Sequence, residues 1–317
     1  MVPVFAALAL LTLAQEPPVQ PDIKVDVELV RVPCTVTDKK GLPALHLTKN
    51  DFEIRDNGSP RKVQYFARDT DLPLTVGLLV DVSGSQSRFI RSHRRALAQF
   101  FRQILRPGDR VFIAALARDV RLIQDFTGSV EELDAAVARV APGQGDRIGE
   151  PCPAREMVFR NRTIRVSNCG GSVIWDGIYY ATEKLRRVDG RKALIVMTDG
   201  EDSGSPHSLD QAIGMAQAAE TIVYPVKTVF RRKLRDAIKK PLENLAELSG
   251  GLLFDGVKQK PDAIFDRIQR ELRTLYMLGF HADGGRDGRF HELKVTSTMR
   301  GYKVRTRSGY WAAGRSE

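Results

Sequence analysis

The stretch Leu78-Leu79-Val80-Asp81-Val82-Ser83-Gly84-Ser85-Gln86-Ser87 constrains this chain more than any other. An apolar run of the kind a buried strand needs stops abruptly in a short polar loop, and residues at helical spacing follow. The run over Val76–Val80 is continuous rather than alternating, which suits a parallel strand covered on both faces. A strand that halts at Asp-x-Ser-x-Ser offers one carboxylate and two hydroxyls from a single turn. In an open α/β sheet, ligands bind at the carboxyl ends of the strands. Oxygen donors of this hardness suit Mg²⁺, Mn²⁺ or Ca²⁺ rather than zinc or copper.

The rest of the chain is arranged around that strand. Upstream, Val25 to Val36 carries β-branched strand signal. Phe52–Ile54 and Val63–Phe66 alternate on either side of the Asp56-Asn57-Gly58-Ser59-Pro60 turn. This β segment, residues 23–70, cannot cover both faces of its own sheet. From Leu74 the texture becomes strand–helix alternation. Phe89, Ile90, His93, Leu97, Phe100, Phe101 and Ile104 recur at helical spacing, with Arg88, Arg91, Arg94, Arg95 and Arg102 on the other side. Strands are expected at Val111–Leu116, Val120–Phe126, Ala193–Met197, Ile222–Val226 and Leu252–Phe254. Helices are expected near Ser129, Ser172, Ser208 and Leu242 and over Pro261–Thr274. The strand ending at Met197 runs into Thr198-Asp199-Gly200, a second acidic turn. The alternation spans residues 74–274, after which Leu275–Phe280, Phe290–Ser297 and Tyr302–Arg307 return to β in a closing segment, 275–312. Chain ends tend to lie close together, so the two β segments are expected to combine into one small sandwich.

Residues 143–171 interrupt the alternation as a long connection bearing Arg147, Arg155, Arg160, Arg162 and Arg165, bracketed by Cys152 and Cys169. Connections this long in compact domains are usually functional or disordered. A bridge between the two cysteines would contribute about 3 kcal/mol in the chain-entropy model. Cys34, in a strand pattern, reads as a small buried residue. Spacing of the 3 cysteines fits no zinc motif.

Pro3–Leu13 is apolar and uncharged, and Thr12-Leu13-Ala14 before Gln15 resembles a signal-peptidase site, although no Lys or Arg precedes it. Residues 1–14 are therefore read as a signal peptide and 15–22 as a linker, which implies export to the periplasm or the outside of the cell. The leader is too short for a permanent span, and no later segment reads as transmembrane. Net charge is +10 over 317 residues, which favours anionic partners without choosing among them.

Together, Asp81-Val82-Ser83-Gly84-Ser85, Ser172 at the start of a helix and Thr198-Asp199-Gly200 resemble the von Willebrand factor A (VWA) domains, in which such motifs form the metal-ion-dependent adhesion site, or MIDAS. The flanks, with Val36-Thr37-Asp38 and Asp51-Phe52-Glu53 before the core and Tyr276–Tyr310 after it, resemble a secreted bacterial subgroup. The resemblance implies an α/β, Rossmann-like, doubly wound and mainly parallel sheet with flanking β segments. It implies a divalent cation, Mg²⁺ or else Mn²⁺ or Ca²⁺, at Asp81, Ser83, Ser85, Ser172 and Asp199. The hydroxyls would touch the metal and the aspartates act largely through water. Ser172 stands where the family usually has Thr, and keeps the hydroxyl. The implied function is non-enzymatic: adhesion-type binding of a protein partner through an acidic residue.

Other chemistry is weaker. His46, His93, His207, His281 and His291 are scattered, Ser83 lies in no Gly-x-Ser-x-Gly elbow, and there is no phosphate-binding Gly-x-x-x-x-Gly-Lys loop. A metal-dependent hydrolase would lack a general base. Arg231-Arg232-Lys233-Leu234-Arg235, with Lys239 and Lys240, reads as a solvated helix face or loop. It also supports a second reading, metal-independent binding of an anionic envelope polymer or nucleic acid, with nucleic acid the less favoured of the two.

Overall fold

The computed structural model describes residues 29–68, 72–83, 86–140, 154–159, 162–167, 172–202, 204–229, 232–282 and 287–312. Strands β1 (Leu29–Thr37), β2 (Phe52–Asp56), β3 (Ser59–Arg61) and β4 (Tyr65–Arg68) lead into β5 (Leu74–Asp81) and helix α1 (Ser87–Ile104). Next come β6 (Arg110–Leu116), β7 (Val120–Thr127), α2 (Val130–Arg139), and the pair β8 (Ala154–Phe159) and β9 (Arg162–Ser167). Helix α3 (Ile174–Arg186), β10 (Arg191–Thr198), α4 (Leu209–Ala218), β11 (Thr221–Lys227) and α5 (Arg232–Ser249) continue the series. It closes with β12 (Phe254–Asp255), α6 (Pro261–Leu272), β13 (Tyr276–His281), β14 (Phe290–Ser297), β15 (Lys303–Thr306) and β16 (Gly309–Trp311).

The apolar run over Leu74–Val80 is buried at every position because β5 is a central strand of the main sheet. That sheet has the order β12-β11-β10-β5-β6-β7, parallel throughout except for the antiparallel edge strand β7. Alternate residues of the central strands feed opposite layers. Val76, Leu78, Val80, Ile113 and Ile195 pack under α1, α2 and α6. Leu79, Phe112, Leu194, Val196 and Val223 pack under α3, α4 and the second half of α5. Gly77 lies on the second face, where a Cβ would come within 2.6 Å of the Phe112 ring and 2.7 Å of Leu194. From β5 the chain winds outward to β6 and β7, then returns through α3 to place β10 on the other side of β5. The order of winding therefore reverses between β5 and β10, and a crevice opens at the carboxyl ends of those two strands.

The flanking β segments interleave into two four-stranded sheets, β15-β1-β13-β4 and β16-β14-β2-β3. Each mixes strands from both ends of the chain. Their inner faces share one core, with Val32, Cys34, Leu278 and Phe280 from the first sheet against Ile54, Leu293, Val295 and Tyr310 from the second. The expected sandwich is present. Its seam with the α/β core is held by Arg307, which is buried and donates to the carbonyls of Gln217 on α4 and Arg31 on β1.

Several local expectations are corrected. Helix α5 begins at Arg232, ten residues before the expected start near Leu242, and carries Pro241 inside it. Proline removes a backbone donor and normally ends a helix, which hid the first half. The basic run from Arg232 onward is thus the opening of α5. The expected strand at Leu252–Phe254 is the two-residue β12 at Phe254–Asp255. β15 is shorter than expected, and β16 follows it. The connection 143–171 contains the antiparallel hairpin β8–β9 rather than loop alone. Cys152, Cys169 and the expected signal peptide lie outside the described residues.

Candidate metal centre

Asp81 ends β5 with only 1% of its surface exposed, and everything at the crevice is arranged on its carboxylate. Oδ1 accepts from the Ser83 backbone N–H at 2.9 Å and from the Ser172 hydroxyl at 2.8 Å. The Ser83 hydroxyl also bonds this carboxylate. Oδ2 accepts from the Thr198 hydroxyl at 3.0 Å. Thr198 in turn accepts from the Gly200 N–H at 3.0 Å. Gly200 is required twice over: its φ is +79°, and a Cβ would meet Ile238 at 2.9 Å. Asp199, 8% exposed, accepts from the Glu201 N–H at 3.3 Å.

Two carboxylates therefore share one buried crevice. Burial pushes the Asp81 carboxyl up from its ordinary range, and the neighbouring charge of Asp199 pushes it further, while the serine hydrogen bonds oppose the shift only in part. No cationic side chain figures among the groups that shift it.

The Ser172 loop is positioned from both sides. Val173 N–H donates to the Ala117 carbonyl at 2.8 Å, at the end of β6. Ser172 forms a parallel bridge with Asp202. Asp202 accepts from the Ile174 and Trp175 N–H groups at 2.8 and 3.3 Å, capping the start of α3, where a carboxylate meets unsatisfied donors and the helix dipole. Gln86 braces the first loop. Its N–H donates to the Ser83 carbonyl at 2.9 Å, and its side chain accepts from the Thr228 hydroxyl at 2.6 Å. Thr228 N–H donates to the Thr198 carbonyl.

Of the five residues expected from sequence, Asp81, Ser83, Ser172 and Asp199 converge here, while Ser85 lies outside the described residues. Asp202, Gln86 and Thr228 were not singled out. The signal for Asp202 was present in the sequence, since it stands in the same acidic turn as Asp199, but its partner α3 is far away in the chain.

The donor set fits a hard divalent cation. A serine that gives its proton to a buried carboxylate presents its lone pairs elsewhere, so Asp81 orients Ser83 and Ser172 as oxygen ligands in the way outer groups orient metal ligands. Among the described residues no group of three His, Cys, Asp or Glu side chains is placed to hold a metal ion. Ligation would therefore rest on hydroxyls and water with few carboxylates, a composition Mg²⁺ accepts.

No protein-family profile and no curated sequence matches this chain. Solved structures do resemble it. An aerotolerance-related membrane protein from Bacteroides fragilis is 14% identical over 63% of this chain and 98% of its own, with a TM-score of 0.45. Proximal thread matrix protein 1 from the mussel byssus is 15% identical over 68% of this chain and 49% of its own, at 0.48. The vWF domain of the type V pili tip protein Mfa5 from Porphyromonas gingivalis is 13% identical over 63% and 94%, at 0.43. The chain has a VWA-like fold, an assignment that rests on the sheet order and the strand-end loops described above.

Proposed function

We propose that this chain is an exported, non-enzymatic binding protein that holds a divalent cation at Asp81, Ser83, Ser85, Ser172 and Asp199 and recognises an acidic residue of a protein partner. The observation that carries this reading is Asp81. It is a buried carboxylate that takes hydrogen bonds from two serine hydroxyls, beside a second carboxylate, at the point where the sheet reverses its winding. When bound, the cation would supply an electrophilic position that a partner's carboxylate can occupy. The chain's own residues do the rest. Asp81 orients the hydroxyls, Asp202 and Ala117 hold the Ser172 loop, and Gln86 ties the first loop to the end of β11.

Supporting a binding rather than catalytic role, the carboxylates here are engaged in orienting neighbours, and His207, the described histidine on the α3–α4 side, is held by Asp176 at 2.7 Å. No helix among the described residues is long and apolar enough to cross a membrane.

Crystals soaked in Mn²⁺ are expected to show anomalous density among Ser83, Ser172 and Asp199, and capture of partners from an envelope extract is expected to need Mg²⁺ and fail with chelator. Density absent at millimolar Mn²⁺ would reject the reading. Capture that ignores chelator but collapses with salt would favour the basic-surface alternative.

A further inference from the structure

A cavity of about 420 Å³ lies between α3 and the edge of the main sheet, within the size range of ligand sites. Its floor is apolar, made by Leu79, Phe112 and Ala114 of the sheet and Ala181 of α3. It lies where α3 meets the edge strand β7, whose Ile123 packs on the α1–α2–α6 face and whose Val120 and Phe126 pack on the α3 face. Leu122 on β7 and Tyr180 on α3 stand across the mouth, 51% and 48% exposed.

Two observations say what this cavity takes. First, its polar lining is largely engaged within the protein. Asp119 receives Arg121 on both oxygens at 2.8 and 2.9 Å. Lys184 meets Asp125 at 2.8 Å and lies 4.6 Å from the centre of the Phe126 ring. Asp176 holds His207. The remaining demand is for apolar surface. Second, the cavity adjoins the candidate metal centre. Val173 lines it and follows Ser172 directly, and the carbonyl that fixes Val173 belongs to Ala117. Arg118, the next residue, is exposed and also lines the cavity.

We infer that the cavity is a second subsite of the partner-binding face, taking one aromatic or branched aliphatic side chain a few residues from the partner's acidic residue. The inference rests on the reading under Proposed function and adds to it a recognition rule: acidic plus bulky apolar, rather than acidic alone.

The test uses synthetic octapeptides carrying one Asp, with Ala, Leu or Phe placed at varied spacing after it. Their affinity is read by fluorescence polarisation in Mg²⁺, and Mn²⁺ binding to the protein is read separately by electron paramagnetic resonance. At the best spacing, Leu and Phe peptides are expected to bind about tenfold or more tighter than Ala peptides, the scale of burying one large apolar side chain. Ala181→Leu, which fills the cavity, is expected to erase that preference while leaving Mn²⁺ binding unchanged. Leu122→Glu, at the exposed rim, is expected to do the same and keeps the test decisive if Ala181→Leu does not fold. Bound Mn²⁺ with equal affinity for Ala and Phe peptides would overturn the subsite and leave the cation reading intact. A kept apolar preference without Mn²⁺ binding would overturn the cation reading alone. Loss of both would overturn both.

Discussion

The two ends of the main sheet both bury charge, and they satisfy it in opposite ways. At the amino ends of the strands, Asp109 accepts from the Leu74 N–H at 2.7 Å and the Arg106 N–H at 2.9 Å, and pairs with the Arg273 guanidinium. Nearby, Arg191 gives its donors to the carbonyls of Leu72 and Leu272. Burial, with Arg273 close by, lowers this guanidinium to about 10. Here cations, a carboxylate and backbone carbonyls pair with one another, although Arg273 Nε is buried without a partner. At the carboxyl ends, Asp81 faces the like charge of Asp199 and takes its hydrogen bonds from the Ser83 amide and the Ser172 and Thr198 hydroxyls. A closed network reads as stability, whereas like charges held together read as a site awaiting a ligand.

The comparison is most exposed to mutation at the closed end. Asp109→Ala strands the buried Arg273 charge and is expected to cost about 3–5 kcal/mol in urea unfolding. A loss below about 1 kcal/mol would show that this end is not the closed network it looks like. Asp202→Ala should cost less, about 1–2 kcal/mol, through the lost cap of α3, and should weaken Mn²⁺ binding by about tenfold or more in calorimetry by releasing the Ser172 loop. Asp81→Asn is expected to go the other way. By removing one of two facing carboxylates it should leave metal-free stability unchanged or raise it by about 1 kcal/mol, while abolishing cation binding. Strong destabilisation in chelator would place Asp81 with the structural carboxylates.

The smallest effect is expected from His93, buried on α1. Burial pulls its imidazole below the ordinary value, outweighing the bond to the Phe89 carbonyl and the charge of Asp262. Its Nε2 is buried without a hydrogen-bond partner. A histidine depressed in the folded state binds its proton more readily when unfolded. Its contribution is therefore full above about pH 6.5 and is lost as pH falls. His93→Leu should flatten the stability curve below about pH 6.5, by less than about 1 kcal/mol, in urea titrations across that range.

Much of this was legible in the sequence because it depends on local pattern. The apolar runs ending at Asp81 and Thr198 announce central parallel strands, and their polar stops fall at the crevice that the topology creates. Where reading failed, the cause was non-local or a conflict of signals. Pro241 masked the first half of α5, whose length is set by packing on β11 and α4. The β8–β9 hairpin was hidden by its arginine-rich composition. Asp202 was visible as a residue but not as a cap, since it stands 28 positions from Ile174. The cavity beside α3 has no sequence signature, because its lining is gathered from β5, β6, β7 and α3, which are far apart in the chain.

The sharpest test of the contrast is thermal unfolding of the wild-type chain and of Asp81→Asn, each with 10 mM Mg²⁺ or with chelator, on the order of what saturates a millimolar site. A ligand that binds only the folded state must raise its melting temperature. The expected result is an upward shift with Mg²⁺ in the wild type and none in Asp81→Asn. Equal melting temperatures of the wild type with Mg²⁺ and with chelator would contradict the claim that the carboxyl end of this sheet is a cation site.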